Sequence, residues 1–118
     1  MERSFNANIV IFRLGENVIE KDKPFFKPAL KKFINHICPN GKTLFTTCFW
    51  KNDLIDDVIK KISAERKELC INCCFSNNDR NMALGKFEHQ GVATHPSDEG
   101  MEAIADAIFN GLNIYLNK

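Results

Sequence analysis

Apolar residues fall along the chain in two alternating kinds of run. The first, Asn8-Ile9-Val10-Ile11-Phe12-Arg13-Leu14-Gly15, is nearly unbroken β-branched and aromatic sequence ended by a glycine. Runs that are apolar on both faces suit a buried parallel strand, here predicted over 8–14. From Pro24 to Ile37 the spacing changes: Phe26, Leu30, Phe33, Ile34 and Ile37 recur on one face of a helix, and Asn40-Gly41 stops it. Pro24 and Pro28 leave the first turn of that helix undetermined. A second strand is predicted over 43–49, with Trp50 at its exit, and then a helix capped by Asn52 or Asp53 with Ile55, Val58, Ile59 and Ile62 inward. A third strand is predicted over 69–75. A polar loop from Ser76 to Asp79 and a less regular stretch to Gly91 follow. The closing helix carries Met101, Ile104, Ala105, Ile108 and Leu112 at helical spacing.

Strand, helix, strand, helix, strand, helix is the order of an α/β domain, with parallel strands joined by right-handed crossovers and helices on the faces. In such sheets, ligands gather beyond the carboxyl ends of the strands. Asn17, Trp50, Ser76 and His95 all lie on loops predicted to leave that rim. With 118 residues, 44% of them hydrophobic, the chain has material for one core, and positions 1–118 read as a single domain. A net charge of +1 excludes a bulk electrostatic pull towards nucleic acid or anionic membrane. No run approaches the roughly 20 apolar residues that span a bilayer. Five cysteines is an odd number, and the first residues are polar, without the apolar segment of a secretory signal. Taking Met1 as the start of the polypeptide, this predicts reduced thiols and a cytoplasmic setting.

The segment with the most chemistry is Thr94-His95-Pro96-Ser97-Asp98-Glu99-Gly100-Met101. Pro96 stiffens the loop that holds His95. Ser97 is a good helix N-cap, and Asp98 and Glu99 put negative charge in the first turn, where the helix dipole favours it. An oriented imidazole at the start of a helix suits a general base. The other candidates are weaker. Cys73 and Cys74 face opposite ways on a strand, and no second pair of ligands completes a zinc set with Cys70, so these read as small buried hydrophobes. Lys31-Lys32 and Lys60-Lys61 read as solvated helix faces, and His36 and His89 as surface or loop residues. Gly15-Glu16-Asn17 is too short for a phosphate loop.

The segment from Thr94 to Met101, followed by Ala103-Ile104-Ala105, resembles the C-terminal histidine block of the SGNH (GDSL-type) hydrolases, in which the catalytic histidine precedes a proline and the closing helix. Val10-Ile11-Phe12-Arg13-Leu14-Gly15-Glu16-Asn17 resembles the strand of that family that leads into Gly-x-Asn. The two blocks stand in the family's order, with two predicted strands between them. The resemblance implies a three-layer flavodoxin-like (SGNH hydrolase-type) parallel sheet, incomplete, with about three strands alternating with three helices. It also implies serine ester hydrolysis: His95 as general base and then general acid, Asn17 donating to the oxyanion hole, Gly15 supporting the loop and no cofactor or metal. The substrate would be a small ester, and Trp50 at the rim would either pack or stack on the sugar of an acylated sugar.

Two departures stand out. The family's Gly-Asp-Ser nucleophile block and its oxyanion glycine precede the strand matched by 8–14, and this chain contains no Gly-Asp-Ser. The resemblance therefore covers the C-terminal half to two-thirds of the family's fold. Ser4 precedes the first strand, Ser97 is better read as a cap, and Ser76, on the correct rim, has no motif around it. Secondly, Val92 stands where the family usually has the aspartate that orients the histidine. The chain is expected to be inactive alone: the C-terminal part of an ester hydrolase, or an inactive relative used for binding or assembly. An unrelated flavodoxin-like or receiver module would need a phosphate loop or an acidic cluster after the first strand, which the chain lacks. An incomplete sheet leaves the 8–14 strand as an open edge, so a homo-oligomer is expected through that edge or through uncovered apolar faces.

Overall fold

Parallel pairing of three short apolar runs sets the architecture. In a computed structural model that describes residues 7–83 and 95–117, β1 (Ile9–Phe12), β2 (Lys42–Thr46) and β3 (Leu69–Ile71) form one parallel sheet in the order β1-β2-β3. Helix α1 (Lys23–Ile37) follows β1, α2 (Asp53–Glu65) follows β2, and α3 (Asp98–Leu116) closes the chain. Ser4, His89 and Val92 lie outside the described residues.

Register decides which side chains share a face. Phe12 stands opposite Phe45, and Ile11 opposite Leu44. The Phe12 and Phe45 rings stack with centroids 5.4 Å apart, and Phe33 meets Phe12 edge-on at 6.0 Å. Around them Leu30, Ile34, Ile37, Ile55, Ile59 and Ile62 of α1 and α2 close the main core. The opposite face belongs to α3, which packs on β2 and β3. Gly111 brings it close: a Cβ there would lie 1.9 Å from Cδ1 of Ile71. At the far end, the Tyr115 hydroxyl accepts from the Leu69 amide at 2.8 Å, and its proton is shared between the Thr43 carbonyl and the Glu68 carboxylate. The result is a three-layer α/β arrangement, as the order of elements predicts.

Three expectations change. The second and third strands stop well short of positions 49 and 75, because side-chain oxygens take the backbone amides that would have continued the ladder. Beyond the bond from the Thr47 amide to the Ile71 carbonyl (3.0 Å), the Cys48 amide donates to Asp56 Oδ1 and the Phe49 amide to Glu16 Oε1, both at 2.9 Å. On β3's continuation the Cys73 amide donates to Thr47 Oγ1 (2.8 Å) and the Cys74 amide to Asn72 Oδ1 (3.0 Å). The second correction concerns the stripe on α3. Its buried face runs through Gly100, Ile104, Gly111 and Tyr115, with Ala107 and Ile108 packed beside it, while Met101 and Ala105 point to solvent. Residue type alone did not show that glycine positions would mark the contact face. Thirdly, β1 is not buried on both faces, since Ile11 is 41% exposed; among the described residues it stands at the edge of the sheet, as expected.

Both caps form as expected. Asn52 Oδ1 accepts from the Ile55 amide at 3.4 Å, and Ser97 Oγ from the Gly100 amide at 3.1 Å. Helix α1 starts at Lys23 and contains Pro28, which lies on its exposed side. Lys31, Lys32, Lys60, Lys61 and His36 are exposed.

Candidate functional site

The carboxyl ends of β1 and β2 and the segment before α3 meet on one rim. Gly15, at φ 111°, makes the turn out of β1 in a conformation that L side chains rarely adopt, and a Cβ on it would lie 2.7 Å from Cγ2 of Ile55 in the core. The next residue, Glu16, accepts from Arg13 Nη1 at 2.9 Å and from the Phe49 amide at 2.9 Å. One carboxylate thus ties the loop after β1 to the chain leaving β2. Asn17 stands beside it, exposed.

Phe49 is fully buried, and Trp50 meets its ring edge-on with centroids 5.4 Å apart. The Trp50 ring also meets that of His95, at 5.7 Å and an interplanar angle of 68°. Trp50 is therefore both a packing residue and the neighbour of the histidine. His95 itself is exposed. Glu16, Phe49, Trp50 and His95 form a contiguous path across the rim. Asn17 is at one end of that path, and no hydrogen bond joins it to His95 among the described residues.

The backbone that carries His95 is held by the segment after β3. Its carbonyl accepts from the Ala83 amide (3.0 Å), Pro96 bridges to Met82, and the Ser97 amide donates to the Asn81 carbonyl (2.8 Å). The Ser97 hydroxyl donates to the Arg80 carbonyl at 2.6 Å while capping α3. Ser97 is thus occupied twice over as a structural residue and is 5% exposed. Ser76 lies on the same rim, where its amide donates to the Phe49 carbonyl at 3.3 Å; no hydrogen bond joins its hydroxyl to His95 among the described residues. Asp98 and Glu99 occupy the first turn of α3.

Burial keeps two of the cysteines in the neutral thiol form. All five are free thiols. Burial, with the Asp56 and Glu16 carboxylates adding to it, pushes the Cys48 thiol up to about 12. Burial likewise pushes Cys73 up to about 11. Thiols held in the neutral form are poor nucleophiles and poor metal ligands. Cys73 is buried, while Cys70 and Cys74 are half-buried. Among the described residues no group of three His, Cys, Asp or Glu side chains is placed to hold a metal ion, and no helix is long and apolar enough to cross a membrane.

Glu16 and Asp56, together with Thr47 and Asn72, organise this rim without having stood out in the sequence. Glu16 sat inside the Gly-Glu-Asn block, but nothing local signals that its partner is an amide 33 positions away. Comparison of the chain with models of protein families, with curated proteins and with solved structures finds no match.

Proposed function

We propose that this chain carries the histidine and asparagine half of an SGNH-type ester hydrolase, with the serine supplied by sequence outside these 118 residues. One observation supports the reading most: His95 sits exposed on the same rim as the Gly15-Glu16-Asn17 turn, and the two are linked through Glu16, Phe49 and Trp50. In this reading a serine hydroxyl attacks the ester carbonyl while His95 takes its proton and then delivers it to the leaving alcohol. The Asn17 side-chain amide donates to the tetrahedral oxyanion, and Gly15 gives the loop the turn that presents Asn17. The Trp50 ring, edge-on to His95, steadies the imidazole in place of the aspartate absent at position 92. The substrate is a small ester, with an acylated sugar a candidate because Trp50 borders the site. The chemistry needs no cofactor, and the free thiols fit a cytoplasmic location.

A second reading is an inactive relative retained for binding or assembly, favoured by the absence of Gly-Asp-Ser and by Val92. The deciding experiment expresses the chain together with the coding sequence in frame upstream of Met1 and assays a short-chain p-nitrophenyl ester. Turnover is expected, falling about 1000-fold or more in His95→Ala and about 100- to 1000-fold in Asn17→Ala. Turnover that ignores His95, or an upstream frame without Gly-Asp-Ser, would overturn the hydrolase reading in favour of the second.

A further inference from the structure

Between β2 and the cap of α2, the course of the chain is set by groups from other elements. The Cys48 amide is taken by Asp56 of α2, and the Phe49 carbonyl accepts from the Ser76 amide at 3.3 Å. The Phe49 amide is taken by Glu16, from the loop after β1 and 33 positions away. A single oxygen does this work: Glu16 Oε1 accepts from Arg13 Nη1 and from the Phe49 amide, each at 2.9 Å. The Glu16 side chain is 22% exposed and that of Arg13 28%. An ionised acceptor partly withdrawn from water makes a stronger bond than a neutral one. Arg13, anchored at the end of β1, restrains the direction in which that acceptor points.

What the bond holds is the residue before Trp50. Phe49 is fully buried with Cys73 and Ile104, and Trp50 packs against that cluster. Cys48, held by Asp56, belongs instead to the core beneath α1 and α2. The Trp50 ring stands edge-on to Phe49 at 5.4 Å and edge-on to His95 at 5.7 Å. The backbone of His95 is fixed from the other side, through its carbonyl to the Ala83 amide. The ring contact is therefore a place where the two halves of the rim meet, and a gap of about 1 Å forfeits up to half of such a contact. We propose that Glu16 is a positioning residue for this rim: by holding the Phe49 amide it fixes Trp50 against His95, and so sets the imidazole relative to the Gly15-Glu16-Asn17 turn. The role belongs to the acceptor oxygen and its reach. It stands on the rim geometry and does not require ester hydrolysis; in the hydrolase reading, it makes Glu16 the residue that spaces the oxyanion donor from the base.

The 118-residue chain carries its own probe, because Trp50 is its one tryptophan and a protonated imidazole against an indole quenches fluorescence. Between about pH 8 and pH 5 a histidine takes up its proton while carboxylates stay largely ionised. Over that range Trp50 fluorescence should fall in the parent, and His95→Ala should remove the fall. Glu16→Gln, whose amide oxygen can still accept from Phe49, should keep it. Glu16→Ala should lose most of it. So should Glu16→Asp, which retains the charge beside Arg13 but is one methylene shorter, and which therefore tests reach even where alanine loosens the fold. Far-ultraviolet circular dichroism should match the parent in the glutamine and aspartate variants. In the amide NMR spectrum, the Phe49 proton should move upfield in the alanine and aspartate variants and stay near its parent position in the glutamine variant. A fall in fluorescence that persists in the alanine and aspartate variants overturns the proposal. So does one that the glutamine variant fails to keep, or a parent whose fluorescence ignores His95.

Discussion

Gly100→Ala reverses an ordinary expectation. Inside a helix the change normally stabilises by about 0.5–1 kcal/mol, because alanine loses less backbone freedom on folding. At Gly100 the added Cβ would lie 2.0 Å from the carbonyl oxygen of Asn81, 2.9 Å from its carbonyl carbon and 3.2 Å from Cβ of Pro96. The obstacle is backbone, so no side-chain rotation relieves it. To reach normal contact, the start of α3 must move away from the 79–81 turn by more than about 1 Å. That same carbonyl accepts from the Ser97 amide at 2.8 Å, and the Ser97 hydroxyl reaches the neighbouring Arg80 carbonyl at 2.6 Å. Moving apart by that much breaks both bonds, each worth about 0.5–1.5 kcal/mol net. Overpacking strain adds about 1–3 kcal/mol where the shift is incomplete. Set against the helix-propensity gain, the variant is expected to lose about 1–3 kcal/mol. Urea unfolding followed by far-ultraviolet circular dichroism measures the loss, and fluorescence adds a local reading, because the one tryptophan of the chain, Trp50, touches His95. An alanine variant as stable as the parent, or more so, would refute the claim that this close approach positions the histidine segment.

Tyr115→Phe removes the acceptor of the Leu69 amide and the donor to the Thr43 carbonyl, and should cost about 1–3 kcal/mol in urea unfolding. In the parent, burial raises Tyr115 from 10.0 to about 12, Cys48 from 9.0 to about 12 and Cys73 from 9.0 to about 11. In each case the folded state holds its proton where the unfolded chain releases it. Stability from these groups is therefore complete below about pH 9 and falls as pH rises through 11 and 12. A urea midpoint unchanged between pH 8 and pH 10.5 would contradict this. Thr46 is 1% exposed, and its hydroxyl has no hydrogen-bond partner among the described residues. Thr46→Val keeps the shape and removes the orphaned hydroxyl, so a gain of about 1 kcal/mol is expected, and a loss would show that the hydroxyl is satisfied.

Much of this fold is written locally. The element order, the Asn52 and Ser97 caps and the inward faces of α1 and α2 follow from spacing, because 3.6-residue periodicity and cap chemistry act within a few residues. The strand ends were not legible for the opposite reason. Cys48 and Phe49 leave the ladder because Asp56 and Glu16 arrive from other elements, and an apolar run does not announce who will take its amides. On α3, Met101 and Ala105 satisfied the periodicity but lost the sheet to the face through Gly111, since close approach outweighed side-chain size. At the site, the sequence put Asn17, Trp50 and His95 on one rim. It did not show that Trp50 would touch the histidine, which needs the loops after β2 and before α3 to converge in space.

The turn at Gly15 gives the rim an anchor outside the sheet. Its α-carbon rests against Ile55, a side chain of α2 with 0% exposure, and the adjoining Glu16 grips the Phe49 amide. The loop that bears Asn17 therefore takes its position from a helix of the covering layer as well as from the strand that leads into it. Interior substitutions around Ile55 become, in effect, adjustments of the rim. A substitution at Ile55, far from any surface group, can thereby shift the backbone that carries Asn17.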